Sequence, residues 1–143
     1  MHEFIYPAKF EKDEDGGYLV TFRDLPFGAA DGETIEEAGV QARDCLEEVI
    51  AACIDDKKEL PEPSAPESGE YMVRLPAQTA AKAALYKAVK EQSLSNVELA
   101  RRMDVNEKEV RRMLDPRHPT KLYRIEKALA ALGYHISVSF EAA

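Results

Sequence analysis

The side chains best suited to chemistry lie between residues 100 and 127, where nine Lys and Arg face five Asp and Glu, a local charge of +4. Glu107, Lys108, Arg111 and Arg112 recur at the spacing of one helical face. Arg and Lys so placed donate to guanine O6 and N7, while Glu accepts from cytosine N4. Ser95 and Asn96 open the helical stretch before it, and the backbone amides of a helix start suit a phosphate. Asn106 opens the second stretch, and Arg117 and Lys121, with His118 and Thr120, follow it within reach of a DNA backbone. The competing explanation is a solvated charged face, which the i,i+4 pair of Glu107 with Arg111 would suit. The spacing of the elements, joined to the local positive charge, favours double-stranded DNA.

Those elements read directly from the pattern. Ser95 with Glu98, and Asn106 with Glu109, are capping boxes that start two short helices. Leu99 and Ala100 point inward, Met103-Asp104-Val105 turns the corner, and Val110, Met113 and Leu114 form the core side of the second helix. This is a helix-turn-helix pattern. Asp104 stands where such a turn favours glycine, and Asp tolerates left-handed backbone better than most residues. A helix beginning at Gln78 or Thr79 precedes the pair, with Pro76 just ahead of it. Another, built on Leu122, Ile125, Ala128, Leu129 and Leu132, ends at Gly133. His135–Phe140 alternates as a terminal strand with no partner in its own half. Pairing with a second copy would close that edge, so a homodimer or higher homo-oligomer is expected, with two recognition helices for a palindromic operator.

The first half has the opposite character. Residues 1–66 hold 6 Lys and Arg against 17 Asp and Glu, a net of −11, whereas residues 67–143 net +3, so the whole-chain −8 conceals a change of sign. Phe4–Phe10, with Pro7 favouring an edge or bulge, and Tyr18–Phe22 flank a turn rich in Asp and Gly, which is a hairpin signal. Leu25-Pro26 breaks the second strand, Gly28–Gly32 carries a brief third, and Thr34 with Glu37 caps an amphipathic helix running to about Ile54. Its outer face, with Glu36, Glu37, Asp44, Glu47 and Glu48, suits a basic protein partner. The Pro-rich linker 55–70 precedes a returning strand, 71–75. The fold class expected is therefore an α+β domain over 1–76 (a small sheet plus one helix), then an all-α helix-turn-helix domain over 77–143 with a C-terminal strand.

Enzyme chemistry finds little support. Asp24, Asp31 and Asp44 would hold a divalent cation only if the fold gathered them, and solvated turn and helix charges are the simpler account. His2, His118 and His135 are scattered, so no metal or other cofactor is expected. Cys45 and Cys53 are eight residues apart on one helix, about 12 Å along the axis, too far for a disulfide. Reduced thiols, with no run of about 18 apolar residues and no leader pattern, suggest a cytoplasmic chain that avoids the membrane.

Three stretches carry a family resemblance: Gly16-Gly17-Tyr18, Phe22-Arg23-Asp24-Leu25-Pro26, and Gly32-Glu33-Thr34-Ile35-Glu36-Glu37-Ala38. They resemble the HicB antitoxins of bacterial type II toxin–antitoxin pairs. Leu114–Leu122 and Ala128–Gly133 look like the branch with an Xre-like helix-turn-helix. The resemblance implies a reduced ribonuclease-H-like N-terminal domain covering the active site of a basic, mRNA-cleaving HicA-like toxin, with Asp24 and Phe27 in the contact neighbourhood. It also implies a C-terminal domain that represses its own operon. The alternative is a ligand-sensing transcriptional regulator with no toxin partner, and a metal-dependent nuclease using the three aspartates is a third reading.

Overall fold

Asp13 sets the first turn of the chain. Its carboxylate accepts from the Asp15 and Gly17 amides, both at 2.9 Å, and Gly16 takes the left-handed conformation at φ 84°. The turn joins β1 (Ile5–Lys12) to β2 (Tyr18–Thr21) with Lys12 opposite Tyr18 and Lys9 opposite Thr21. The computed structural model describes residues 3–25 and 27–143; His2 and the strand break expected at Pro26 lie outside them. Its architecture is α+β, with one four-stranded antiparallel sheet and five helices among the described residues. The chain divides into two compact units, Met1–Ala80 and Ala81–Ala143.

In the first unit β3 (Ala29–Gly32) and β4 (Glu70–Arg74) complete the sheet in the order β3-β2-β1-β4. β1 is thus central, contrary to the edge position that Pro7 suggested. The reason is local: β2 pairs only with Lys9–Lys12, so the ring nitrogen of Pro7 points to a side where the ladder has already ended. Helix α1 (Ile35–Asp55) lays Ala38, Ala42, Leu46 and Ile50 against Tyr6, Ala8, Val20 and Val73, all buried. Thr34 caps it by accepting from the Glu37 amide at 3.1 Å. Ile35, at the apolar spacing of the helix, is 40% exposed and lines an open groove between α1 and the sheet.

The proline-rich stretch after α1 is a surface loop strapped to this unit. Tyr6 Oη donates to the Pro61 carbonyl at 2.6 Å. The carboxylate of Asp24 accepts from both the amide and the hydroxyl of Ser64, at 2.8 and 2.6 Å. Arg23 donates to the Ala65 carbonyl and pairs with Glu70 at 3.0 Å, holding the Glu70 carboxyl below its usual range. Asp24 and Arg23 are neighbours in sequence, so one short segment after β2 fixes both the middle and the end of the loop.

Helix α2 (Ala77–Glu91) starts before the boundary between the units and continues past it. In the second unit it is followed by α3 (Asn96–Met103), α4 (Glu107–Leu114) and α5 (Leu122–Ala131). Leu85, Val89, Leu99, Val110, Met113, Ile125 and Leu129 form the centre of its core. Residues 134–143 take no helix or strand conformation in the single chain: the unit is otherwise helical among the described residues, so the expected terminal strand meets no ladder there and would form only against a second copy. Its apolar alternation is not matched by burial: Ile136 packs on the core, while Val138 and Phe140 of the same parity are 78% and 99% exposed.

Four helices share one termination. At Lys57, Ser93, Asp104 and Gly133, φ is positive, and paired 6→1 and 5→2 amide bonds close the end of α1, α2, α3 and α5. Only one of the four is glycine. Asp104→Gly is therefore expected to raise the stability of the second unit by about 0.5–1 kcal/mol, read by thermal unfolding. An unchanged or lower midpoint would mean that the aspartate side chain compensates for its backbone strain.

Candidate nucleic-acid interface and docking surface

The α3–α4 pair is built by caps and a tight corner. Ser95 Oγ accepts from the Glu98 amide at 3.1 Å, and Asn106 Oδ1 accepts from the Lys108 amide at 2.9 Å. Neither expected capping box closes, because ion pairing claims the second partner. The Glu98 carboxylate pairs with Arg101 and Arg102 at 2.6 and 3.3 Å, and Glu109 pairs with Arg124 at 3.7 Å. Asp104 turns the corner in the left-handed region, φ 54° and ψ 49°, as its residue type allows.

The face of α4 opposite Val110 and Met113 carries the residues singled out from sequence. Lys108, Arg111 and Arg112 are exposed. Arg111 and Glu107 pair at 2.6 Å, so that the guanidinium lowers the Glu107 pKa, with a further hydrogen bond from Asn96. Asn96 at the start of α3 and Glu107 at the start of α4 are thus brought together. The side chains of Lys108 and Arg112 have no ion pair among the described residues, which leaves two cations open to a polyanion. Arg117 and Lys121 are exposed on the segment between α4 and α5, where the Asp115 carboxylate accepts from the Arg117 amide at 3.0 Å. Ser95 and Asn106 are exposed at the two helix starts, whose dipoles favour an anion.

The first unit places its two named residues differently. Phe27 is 89% exposed, whereas Asp24 spends both carboxylate oxygens on Ser64. Asp24 therefore holds the loop beside Phe27 instead of presenting a free charge. Asp31 lies on β3 and Asp44 on α1, and among the described residues no three His, Cys, Asp or Glu side chains gather in metal-binding geometry.

Sequence reading missed an exposed sheet surface. Leu19, 42% exposed, lies directly across from Glu11 on one side and Asp31 on the other. Lys9, Thr21 and Ala29 share this face, all exposed, on the side of the sheet away from α1. The signal was the strict alternation of Tyr18-Leu19-Val20-Thr21, in which only one parity can be core. A separate groove of about 360 Å³ lies beside α1, lined by Phe10, Ile35, Gly39, Arg43, Tyr71 and Val73, with Phe10 and Tyr71 edge to face at 5.3 Å.

Comparison with known proteins is consistent across the chain. A family model described as a HicB-like antitoxin of bacterial toxin–antitoxin systems matches residues 5–84. Antitoxin HicB 2 of Photorhabdus laumondii is 39% identical over 133 residues, 93% of this chain and 94% of that protein. Antitoxin HicB of Pseudomonas fluorescens is 37% identical over 92% of this chain and 90% of its own, and that of Escherichia coli 32% over 93% and 96%. With its hairpin and its Gly32–Ala38 helix start inside the span that the family model matches, and with these relatives aligned over more than nine-tenths of it, the chain belongs to the HicB-like antitoxin family.

Proposed function

We propose that this antitoxin works through two surfaces: its N-terminal unit covers a HicA-like, mRNA-cleaving toxin, and its C-terminal unit represses the operon by binding operator DNA. The observation that carries the second half is the α3–α4 pair, a helix-turn-helix whose α4 has one face in the core and Lys108, Arg111 and Arg112 exposed on the other. Docked by α4 in the major groove, these side chains and Glu107 meet base edges. The capped helix starts, Arg117 and Lys121 meet phosphates.

For the toxin, the first unit, reduced-ribonuclease-H-like in this reading, offers Phe27 as an apolar anchor, and Leu19 between Glu11 and Asp31 as an acid-rimmed contact. A basic partner is steered by the −11 charge of this half, and Asp24 contributes by fixing the loop near Phe27. Co-expression with the adjacent small gene tests the division. Survival of toxin induction should require this chain and should persist when operator contacts are removed. Failure of the intact chain to rescue would favour a regulator without a toxin.

Two copies complete an operator-binding form in this reading, joined by residues 135–140 as paired strands. Val138 and Phe140, exposed in the single chain, would be covered. The double substitution Val138→Asp with Phe140→Asp should halve the mass measured by light scattering while leaving the helical signal unchanged. A variant that keeps the wild-type mass would place the contact elsewhere.

A further inference from the structure

Lys82, on α2, is fully buried, and its ammonium is surrounded by oxygen acceptors. Nζ donates to the carbonyl of Arg112 at 3.0 Å, the carbonyl of Asp115 at 2.8 Å and Oγ1 of Thr120 at 2.8 Å. An ammonium has three N–H donors and no acceptor, so this set satisfies it completely. All three acceptors belong to the end of α4 or to the turn after it. The last carbonyls of a helix have no intrahelical donor, and the helix dipole makes that end negative. The Asp115 amide closes that end only by sharing its single N–H between the Arg111 and Arg112 carbonyls, at 3.1 and 3.2 Å, and Lys82 of the neighbouring helix adds a charged donor to Arg112.

We propose that Lys82 is a positioning residue for operator binding: it sets the seat of α4 and of residues 115–121 by a three-point hydrogen-bonded lock, without touching DNA. This rests on the operator-binding reading of α4 given above. A buried charge is a costly way to gain stability, since an apolar side chain would fill the same volume with no desolvation penalty. Directional bonds to three points supply a defined angle, which apolar contact does not. The points held are the main chain of Arg112 and the segment carrying Arg117 and Lys121, so a small rotation there displaces every cation in the interface.

Burial lowers the Lys82 pKa to about 8, against the opposing attraction of Asp115. Among the groups around Nζ, Asp115 carries the facing charge, while Arg112 meets it through its carbonyl and Thr120 through its hydroxyl. A positioning role and a purely stabilising role then differ in sign with pH. The folded-state value lies below the unfolded one, so between about pH 8 and 10 the unfolded chain binds the extra proton and the folded form gains stability. Over the same interval Nζ loses a donor and the lock loosens.

The test measures binding of the full chain to its own promoter DNA by fluorescence anisotropy, with unfolding followed in parallel. Lys82→Met should weaken operator binding about tenfold or more at pH 7 while α3 and α4 remain folded, with faster amide exchange at Asp115 and His118. The ratio of wild-type to Lys82→Met affinity should shrink towards one by about pH 9.5, even as wild-type stability holds or rises. Thr120→Val, which removes one acceptor and leaves the lysine in place, should give a smaller loss of the same kind and decides the matter if Lys82→Met does not fold. Affinities equal to wild type in folded Lys82→Met, or in Thr120→Val, overturn the inference. Failure of the wild-type chain itself to bind promoter DNA overturns the operator-binding reading on which it stands.

Discussion

Gly32→Ala is expected to destabilise the N-terminal unit by about 3 kcal/mol or more, a large share of the roughly 5–15 kcal/mol that holds a domain together. The added Cβ would sit 2.4 Å from the Ala38 nitrogen, 2.8 Å from Ala38 Cα and 2.9 Å from the Glu37 carbonyl carbon. All three are main-chain atoms in the first turn of α1, so no side chain can swing aside. Relief requires the helix to lift from β3, which uncovers Ala38 and Ala42 and disturbs the Thr34 cap. Gly39, in the next turn of the helix, provides the contrast: nothing lies within 4 Å of its Cβ position, and Gly39→Ala should gain about 0.5–1 kcal/mol from helix propensity alone. Urea unfolding of the two variants should move in opposite directions. Toxin neutralisation should fail with Gly32→Ala while operator affinity is retained. Equal midpoints would show that α1 can shift without cost and that the close approach has no energetic weight.

The same glycine marks how far sequence alone reaches. The strands, the five helices and the caps at Thr34, Ser95 and Asn106 all have local causes, a period of hydrophobicity or a side chain that accepts from an amide two or three residues on. These were legible. The close approach of β3 to the first turn of α1 depends on how the chain folds back between Gly32 and Ala38, and nothing in the composition of residues 29–38 says that Gly32 has a main-chain neighbour there. Left-handed helix ends were legible at Gly133 and at the Asp104 corner, but not at Lys57 and Ser93, which adopt the same cap against their residue type. Asp24, placed in a contact neighbourhood by the family resemblance, has its carboxylate taken by a loop residue 40 positions away, a use with no local sequence signal. Lys82 reads in sequence as a charge on an alanine-rich helix, and its burial depends on a turn more than 30 residues later. Side chains committed to distant main chain leave no periodic trace, and both the loop strap and the lysine lock are of that kind.

The double substitution Arg111→Ala with Arg112→Ala should cost about 30-fold or more in operator affinity and leave toxin neutralisation intact, since a bidentate arginine–guanine contact is worth about 1–3 kcal/mol and two such contacts are removed. Arg111 is already paired with Glu107 at 2.6 Å in the free chain, and the strength of that pair decides whether it blocks binding. An exposed i,i+4 pair contributes only about 0.3–0.5 kcal/mol, well below a base contact, so DNA outcompetes the glutamate. In the operator-binding proposal, Glu107 would then read a base of its own, and while paired it would be a brake on indiscriminate phosphate binding. Glu107→Gln should accordingly raise affinity for random DNA more than affinity for the operator. Arg112→Ala, removing a base reader, should lower operator affinity more than random-DNA affinity, whereas Lys121→Ala, at a phosphate, should lower both and flatten the salt dependence by about one counterion. Filter binding at several salt concentrations separates these slopes. A Glu107→Gln chain that gains equally on operator and random sequence would mean that Glu107 only neutralises Arg111; a double-arginine variant that still represses would move the DNA interface off α4 altogether.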